Sequence, residues 1–252
     1  GKCTFAEVTV EMCNKFLEYL RTTSQAVHTN RKLHTNTIAS YWSAFLGTLH
    51  AAHRDRKIKE NPCPYLERVK TIPTDRVGLS AEELIQLAET PCDVPILRTA
   101  FLFSCLTGLR KSDVKPFSWE RIQPEADGTL YITDRMQKTD QIVHNPIGEE
   151  ALALIDDGIR EGIVFRGFKD SMTQAPLKRW VKAAGITKHI TYHSSRHTFC
   201  SLQLHAGTDV NTVKDLAGHK NISTTQQYLD SVDSRKKDAA NRITIKRKEE
   251  HP

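Results

Sequence analysis

The stretch HSSRHTFCSLQLHAGTDVNTVKDLAGHKNISTTQQYLD, from His193 to Asp230, decides how this chain is read. Its pattern is helical and predicts three short helices over about 194–206, 209–217 and 222–228. Along them lie His193, Arg196, His219 and Tyr228. Arg196 stands near the start of the first helix, three residues after His193, so the two side chains share one face. Upstream, TGLRKSD contributes Arg110 and Asp113, and MQKTD contributes Lys138. One set of basic residues therefore ends in a single tyrosine.

Outward from that stretch the chain is mostly helical. Thr9 caps a predicted helix whose face carries Val10, Cys13, Phe16, Leu17 and Leu20. A second helix is predicted over about 35–53, with Ile38, Tyr41, Trp42, Phe45, Leu46 and Leu49 at helical spacing. HRDRKIKENPCP then breaks the pattern at Pro62 and Pro64. LERVKTIPTDRVG is polar and basic, with Pro73 and Gly78, and reads as a linker over about 70–78. Ser80 and Glu83 make a capping box that opens a second part. Helices follow at about 80–89 and 93–106, the latter ended by Gly108 as a C-cap. TLYITD (129–134) and QIVHNPI (141–147) alternate and read as a hairpin with Lys138 near its tip. Further helices are predicted over about 149–156, 172–184 and, in the tail, 234–242. The expected fold is mainly α. An all-α N-terminal domain spans 1–72, and an α-rich domain with a small antiparallel β-sheet spans 79–252.

The chain has 252 residues, 38% hydrophobic and 26% charged, which provides for a globular core. Its net charge of +6 and pI near 9.0 point toward a polyanion. The cysteines Cys3, Cys13, Cys63, Cys92, Cys105 and Cys200 form no C-x-x-C pair. A zinc ribbon and a disulfide framework are therefore disfavoured, and most cysteines read as small core residues of a reducing compartment. With no apolar run near a membrane span and no signal-peptide stretch at the N-terminus, the expectation is a cytoplasmic protein with no membrane partner.

The basic set answers one chemical question. A guanidinium presents a planar fork of donors that matches two phosphate oxygens, and it stays charged at any working pH. Two such forks, Arg110 and Arg196, would neutralise the charge that grows as a phosphodiester becomes pentacoordinate. Tyr228 is the candidate nucleophile: a phenol attacks weakly until positive charge stabilises the phenolate. The phosphotyrosine so formed stores the bond energy, so resealing needs neither ATP nor a metal, and no cofactor is expected. Lys138 is suited to protonate the leaving oxygen. His193 and His219 are suited to nonbridging oxygens, and His193 also to the tyrosine proton. His189, His193 and His197 recur at i, i+4 and i+8, but no H-E-x-x-H and no evident carboxylate accompany them, so no metal site is assigned.

These patterns together resemble the tyrosine recombinase (phage integrase) family. They are T-G-L-R with Asp113 three residues on, Q-K-T around Lys138, H-x-x-R-H-T-F, L-A-G-H, and T-T-x-x-Y, with His219 nine positions before Tyr228. The resemblance covers about 80–232, and NTIASYWSAFLGTLHAAHRDRKIKENP looks like the family's core-binding domain. The sequence from HTFCSLQ to QQYLD looks most like integrases of conjugative transposons and phages in the Bacteroidetes group. The resemblance implies a bacterial, site-specific DNA recombinase, associated with the nucleoid when acting, that integrates or excises a mobile element. Two domains would clamp duplex DNA at an attachment site. A protein monomeric when free would assemble as a homo-tetramer on paired sites, and accessory DNA-bending proteins would assist. Arg110, Lys138, His193, Arg196 and His219 would form the activating pocket, and Tyr228 the 3′-phosphotyrosyl link. Asp113 resembles the acidic residue that braces the pocket. Arg31, Lys32, His53, Arg54, Arg56, Lys57 and Lys59 are candidate phosphate contacts. The tail beyond Tyr228 is a candidate to dock on a neighbouring protomer. The chain starts at Gly1, directly in the core-binding segment, so the arm-binding domain of many integrases is expected to be lacking in this subclass or removed. On the residues, two other readings stay open: a type IB topoisomerase and a DNA-binding module without catalysis.

Overall fold

The computed structural model describes residues 4–22, 32–72, 76–136, 138 and 142–228. The chain divides into two compact units, residues 1–75 and 76–252. It is mainly α with one small antiparallel sheet, as the sequence predicts.

The first unit is built on α1 (Val10–Thr22) and α2 (Thr35–Arg54). Thr9 caps α1, its hydroxyl accepting from the Met12 N–H at 3.2 Å, which satisfies one of the orphan donors of the first turn. The facing stripes bury Cys13, Leu17 and Leu20 against Ile38, Trp42 and Leu49. Phe16 and Phe45 pack with ring centroids 4.9 Å apart. Trp42 is 1% exposed, and its indole N–H donates to the Glu67 carbonyl at 2.8 Å. Tyr41, which the spacing places on the apolar face, is 54% exposed instead. At 3.6 residues per turn Ile38, Trp42, Phe45 and Leu49 keep to one side, and Tyr41 falls off its edge.

The second unit begins with Val77, in the segment whose composition reads as a linker, packed against the core, and with Leu79, just after that segment, buried in it. The capping box closes α3 (Ala81–Glu89): the Glu83 N–H donates to Ser80 Oγ, and the Ser80 N–H to Glu83 Oε2. The central helix is α4 (Pro95–Thr107), which buries Leu97, Phe101 and Phe103. Phe101 meets Trp180 and Tyr192 edge-on, at 5.9 and 5.7 Å. After α4 come a one-turn helix α5 (Lys111–Val114) and a sheet of β1 (Ile122–Pro124), β2 (Leu130–Arg135) and β3 (Ile142–Pro146) in antiparallel order β1-β2-β3. Ile132 opposes Asn145, and Asp134 opposes Val143, so Ile132 and Val143 both face the core. The remaining helices are α6 (Glu149–Ile155), α7 (Ala175–Ala183), α8 (Ser194–His205), α9 (Val210–Leu216) and α10 (Ser223–Gln226). Asp209 caps α9 by accepting from the N–H groups of Asn211 and Thr212. Among the described residues, no helix is long and apolar enough to cross a membrane.

Three local differences have physical causes. β1 spans three residues, too short to show alternation. The helix expected over 172–184 is split into a 3-10 turn, Asp170–Thr173, and α7. Pro176 has no N–H and is tolerated only in a first turn, so the helix restarts just before it. The helix expected over 222–228 ends early, leaving Gln227 and Tyr228 in a turn. The hairpin residues 137 and 139–141, Arg31, and the predicted tail helix over 234–242 lie outside the described residues.

Gly108 holds φ at +71°, and a Cβ there would sit 2.5 Å from Phe199 Cδ1. Gly108→Ala should destabilise the second unit by more than ~1 kcal/mol, since strain and clash add. Gly47, inside α2 with nothing within 4 Å of a Cβ, is the opposite case: Gly47→Ala should stabilise by ~0.5–1 kcal/mol. Urea melts of the two variants check both signs.

Candidate active site

The site is organised by the turn at Gly108. The left-handed glycine ends α4 and sends the chain into Arg110, which stands at the N-cap of α5. The Gly108 carbonyl accepts a hydrogen bond from Arg196 Nη1 at 2.7 Å. Arg196 rises from the first turn of α8 and is 2% exposed. Arg110 is half-buried, with Nη2 directed at the Gly218 carbonyl at 3.4 Å. Arg110 Nη1 and Arg196 Nη2 are buried and have no hydrogen-bond partner among the described residues. Asp113, 1% exposed on α5, bears electrostatically on both guanidiniums and favours their charged forms. Burial opposes it: the Arg110 pKa is lowered and that of Arg196 is brought down to about 10, so Arg196 remains cationic at neutral pH.

His219 follows Gly218, whose φ is +59° and whose missing side chain admits Val143 and Met136 of the hairpin region. The imidazole is 5% exposed, and its Nδ1 pairs with Thr225 Oγ1 at 2.8 Å. That leaves Nε2 as the nitrogen able to meet a ligand. Burial, then Arg196, Arg110 and Arg76, push its pKa down to about 3. His193 stands exposed at the start of α8, its ring 4.6 Å from that of His197. Partial burial, then Arg196, Arg110, Lys138 and Arg76, lower it to about 4.

Tyr228 packs with Phe199, Cys200, Leu204, Val213 and Ala217 and is 3% exposed. Two side chains that the sequence reading leaves out meet its hydroxyl. His197 Nδ1 lies 2.6 Å away, and Arg76 Nη1 donates from 3.1 Å. Arg76 also donates to the Thr224 carbonyl and places Cζ 5.2 Å from the tyrosine ring centroid. Burial raises the phenol to about 12 against the opposing pull of Arg76 and Arg196. In the sequence His197 stands in the i, i+4, i+8 histidine series and in the H-x-x-R-H-T-F pattern, neither of which links it to Tyr228. Arg76 carried no signal, being 152 positions from Tyr228 in the chain.

Lys138 is exposed beside the hairpin, and it lines one cleft of about 470 Å³ with Arg110 and His193. Lys111, Lys178 and His189 line the same cleft, which gives it a basic wall. Among the described residues, no group of three His, Cys, Asp or Glu side chains is placed to hold a metal ion. In the first unit Lys32, His53, Arg54, Arg56, Lys57 and Lys59 are exposed, and Arg54 pairs with Asp55 at 3.1 Å.

Residues 79–235 match the model of the phage integrase family, and residues 1–71 match that of the phage integrase SAM-like domain. An integrase/recombinase of Escherichia coli is 46% identical over 70 residues, which are 27% of this chain and 21% of that protein. Tyrosine recombinase XerC of Xanthomonas campestris pv. campestris is 29% identical over 164 residues, 60% of this chain and 50% of the relative. The chain thus spans half or less of these two relatives' length. Among solved structures, the Tn1549 transposon integrase (aa 82-397) in complex with circular intermediate DNA shares the fold, with a TM-score of 0.65 and 18% identity over 94% of this chain and 87% of that one. With one family model spanning residues 79–235, well over half of its length, the chain belongs to the phage integrase family.

Proposed function

We propose that the chain is a site-specific DNA recombinase that cuts and rejoins strands through a 3′-phosphotyrosyl intermediate, serving integration or excision of a mobile element. The observation that carries this is the pair of buried guanidinium nitrogens, Arg110 Nη1 and Arg196 Nη2, left without a hydrogen-bond partner within electrostatic reach of Tyr228. A buried cationic donor left unpaired costs free energy, so it marks a place made for an anion. A phosphodiester supplies the two nonbridging oxygens that two forks need. Arg110, Arg196 and His219 hold them, and His193 adds a contact at the rim. Asp113 keeps the arginines charged. Tyr228 attacks phosphorus, and Lys138 protonates the departing 5′ oxygen.

The partner is double-stranded DNA at attachment sites. The basic cleft wall and the DNA carried by the structurally similar Tn1549 integrase support that choice. Exposed Lys32, Arg54, Arg56, Lys57 and Lys59 contribute sequence-independent phosphate contacts, each adding to the salt dependence of binding. Four protomers on two sites, with accessory bending proteins, complete the exchange. The work is done on bacterial cytoplasmic DNA. Rejoining uses the energy held in the tyrosyl ester.

The test is covalent capture. A pool of nicked duplexes with randomised cores, incubated with the protein, should yield a protein–DNA adduct that Tyr228→Phe abolishes; no adduct from any duplex would sink the reading. Arg196→Lys keeps the charge and loses the fork, so adduct formation on the captured duplex should fall by about 100-fold or more while binding changes little. Equal loss of both would count against a role in the transition state.

The histidines give a second check, without DNA. His219, His193 and His197 are held at about 3, 4 and 4 by burial first and cationic neighbours second. An unfolded histidine titrates near ~6.5, so between about pH 4 and 6.5 the unfolded chain binds more protons than the folded one. Stability is fully present above ~6.5 and is lost as pH falls through that window. Urea midpoints should drop from pH 7 to 4.5. Buried His219 contributes at most ~1.4 kcal/mol per pH unit, and His219→Gln should flatten the slope.

A further inference from the structure

On sequence His193 is suited to take the Tyr228 proton, whereas the histidine at hydrogen-bonding distance from the tyrosine hydroxyl is His197. That hydroxyl stands between two groups of opposite hydrogen-bonding character. A guanidinium can only donate, so Arg76 Nη1, at 3.1 Å, occupies a lone pair of the phenol oxygen. The phenolic proton then points to an acceptor, and His197 Nδ1 lies at 2.6 Å. In the neutral tautomer with its ring proton on Nε2, His197 Nδ1 accepts the phenolic proton. The Cys200 thiol beside the hydroxyl is a weak acceptor, and burial pushes its pKa up to about 11. His193 lies one helical turn from His197, at the exposed rim.

We propose that His197 is the general base of strand cleavage, accepting the Tyr228 proton through Nδ1, and that Arg76 holds the phenolate that forms. The proposal rests on the recombinase reading above and deepens it. The step balances. The O–H bond of Tyr228 breaks and its proton goes to His197. The phenol oxygen bonds to phosphorus, the bond from phosphorus to the 5′ oxygen breaks, and that oxygen takes a proton from Lys138. On rejoining, the imidazolium returns its proton to the departing phenol.

The surroundings make the base respond to substrate. Burial first, and then His193, Arg76 and Arg196, bring His197 down to about 4, so at neutral pH it is unprotonated and able to accept. A phosphate among the arginines offsets their charge. The imidazolium then becomes cheaper to form when DNA is in place. Arg76 reaches both the hydroxyl and the Thr224 carbonyl, so it fixes the turn that carries the tyrosine as well as the oxygen itself.

Two measurements test this. On the duplex captured by the wild-type protein, His197→Ala should slow adduct formation by about 100-fold at pH 7, the size of a lost general base. The deficit should shrink as pH rises. Replacing Tyr228 with a trifluorotyrosine, whose phenol is more acidic, should restore most of the rate in the His197→Ala background. His197→Asn keeps a hydrogen-bond acceptor without basicity, so it should fold normally and still cleave slowly. Separately, without DNA, NMR of the tyrosine Cζ should show the Tyr228 phenol titrating higher in Arg76→Gln than in the wild type, with Arg76→Lys between them. Wild-type cleavage in His197→Ala, or a deficit equal at every pH and untouched by the fluorinated tyrosine, overturns the role of His197 while leaving the recombinase reading intact. An unmoved phenol in Arg76→Gln overturns the role of Arg76. A wild-type protein that captures no duplex removes the recombinase reading and this proposal together.

Discussion

The hydrogen bond from Arg196 to the Gly108 carbonyl is the contact on which the site depends. It joins segments 88 positions apart and is buried. It exists because glycine at 108 adopts a left-handed turn that an L side chain resists, and because Phe199 fills the space a Cβ would take. One residue thereby ends the central helix, turns a carbonyl toward a guanidinium, and starts the strand of chain that presents Arg110. Burying a guanidinium costs several kcal/mol unless charged partners and hydrogen bonds offset the loss of water. Here one carbonyl and the charge of Asp113 offset part of it, and Arg196 Nη2 is left over.

That remainder is what makes the site chemically useful. Burial first, and then Arg196 and Arg76, keep His193, His197 and His219 neutral, with Arg110 adding to this at His193 and His219 and Lys138 at His193. A fold selected for stability alone would add carboxylates. On the proposed reading the excess positive charge is kept for a phosphodiester, and the histidines gain basicity when it arrives. Among the described residues, local rules of polar satisfaction for buried side chains are broken here and kept elsewhere, the pattern expected of a functional site.

Much of this was legible in the sequence because it is local. Helical periodicity marks α1, α2, α4 and α8, the Ser80–Glu83 box marks the start of α3, and Gly108 marks the end of α4. These signals arise within one turn of the residue that carries them. What escaped is either too short or too distant. β1 has three residues, and the break at Gln174 turns on a single proline in the first turn that follows. Arg76 and His197 escaped for another reason: their contacts with Tyr228 span 152 and 31 positions and have no periodic signature. Residue type and motif spacing point to Tyr228, whereas the groups that act on its hydroxyl are fixed by packing.

The same packing sets when the tyrosine is reactive. A phenol held at about 12 and 3% exposed is by itself a poor nucleophile. Its base is also weak, because burial and neighbouring cations disfavour the imidazolium. The arginines act on the two groups with opposite effect: Arg76 and Arg196 ease the phenolate and hinder the imidazolium. On the proposed reading a bound phosphodiester offsets both influences at once. The penalty on the imidazolium is lifted, and the help to the phenolate is carried chiefly by Arg76, which touches the oxygen directly at 3.1 Å. On that reading, proton transfer is therefore favoured in the geometry where phosphorus is present to be attacked.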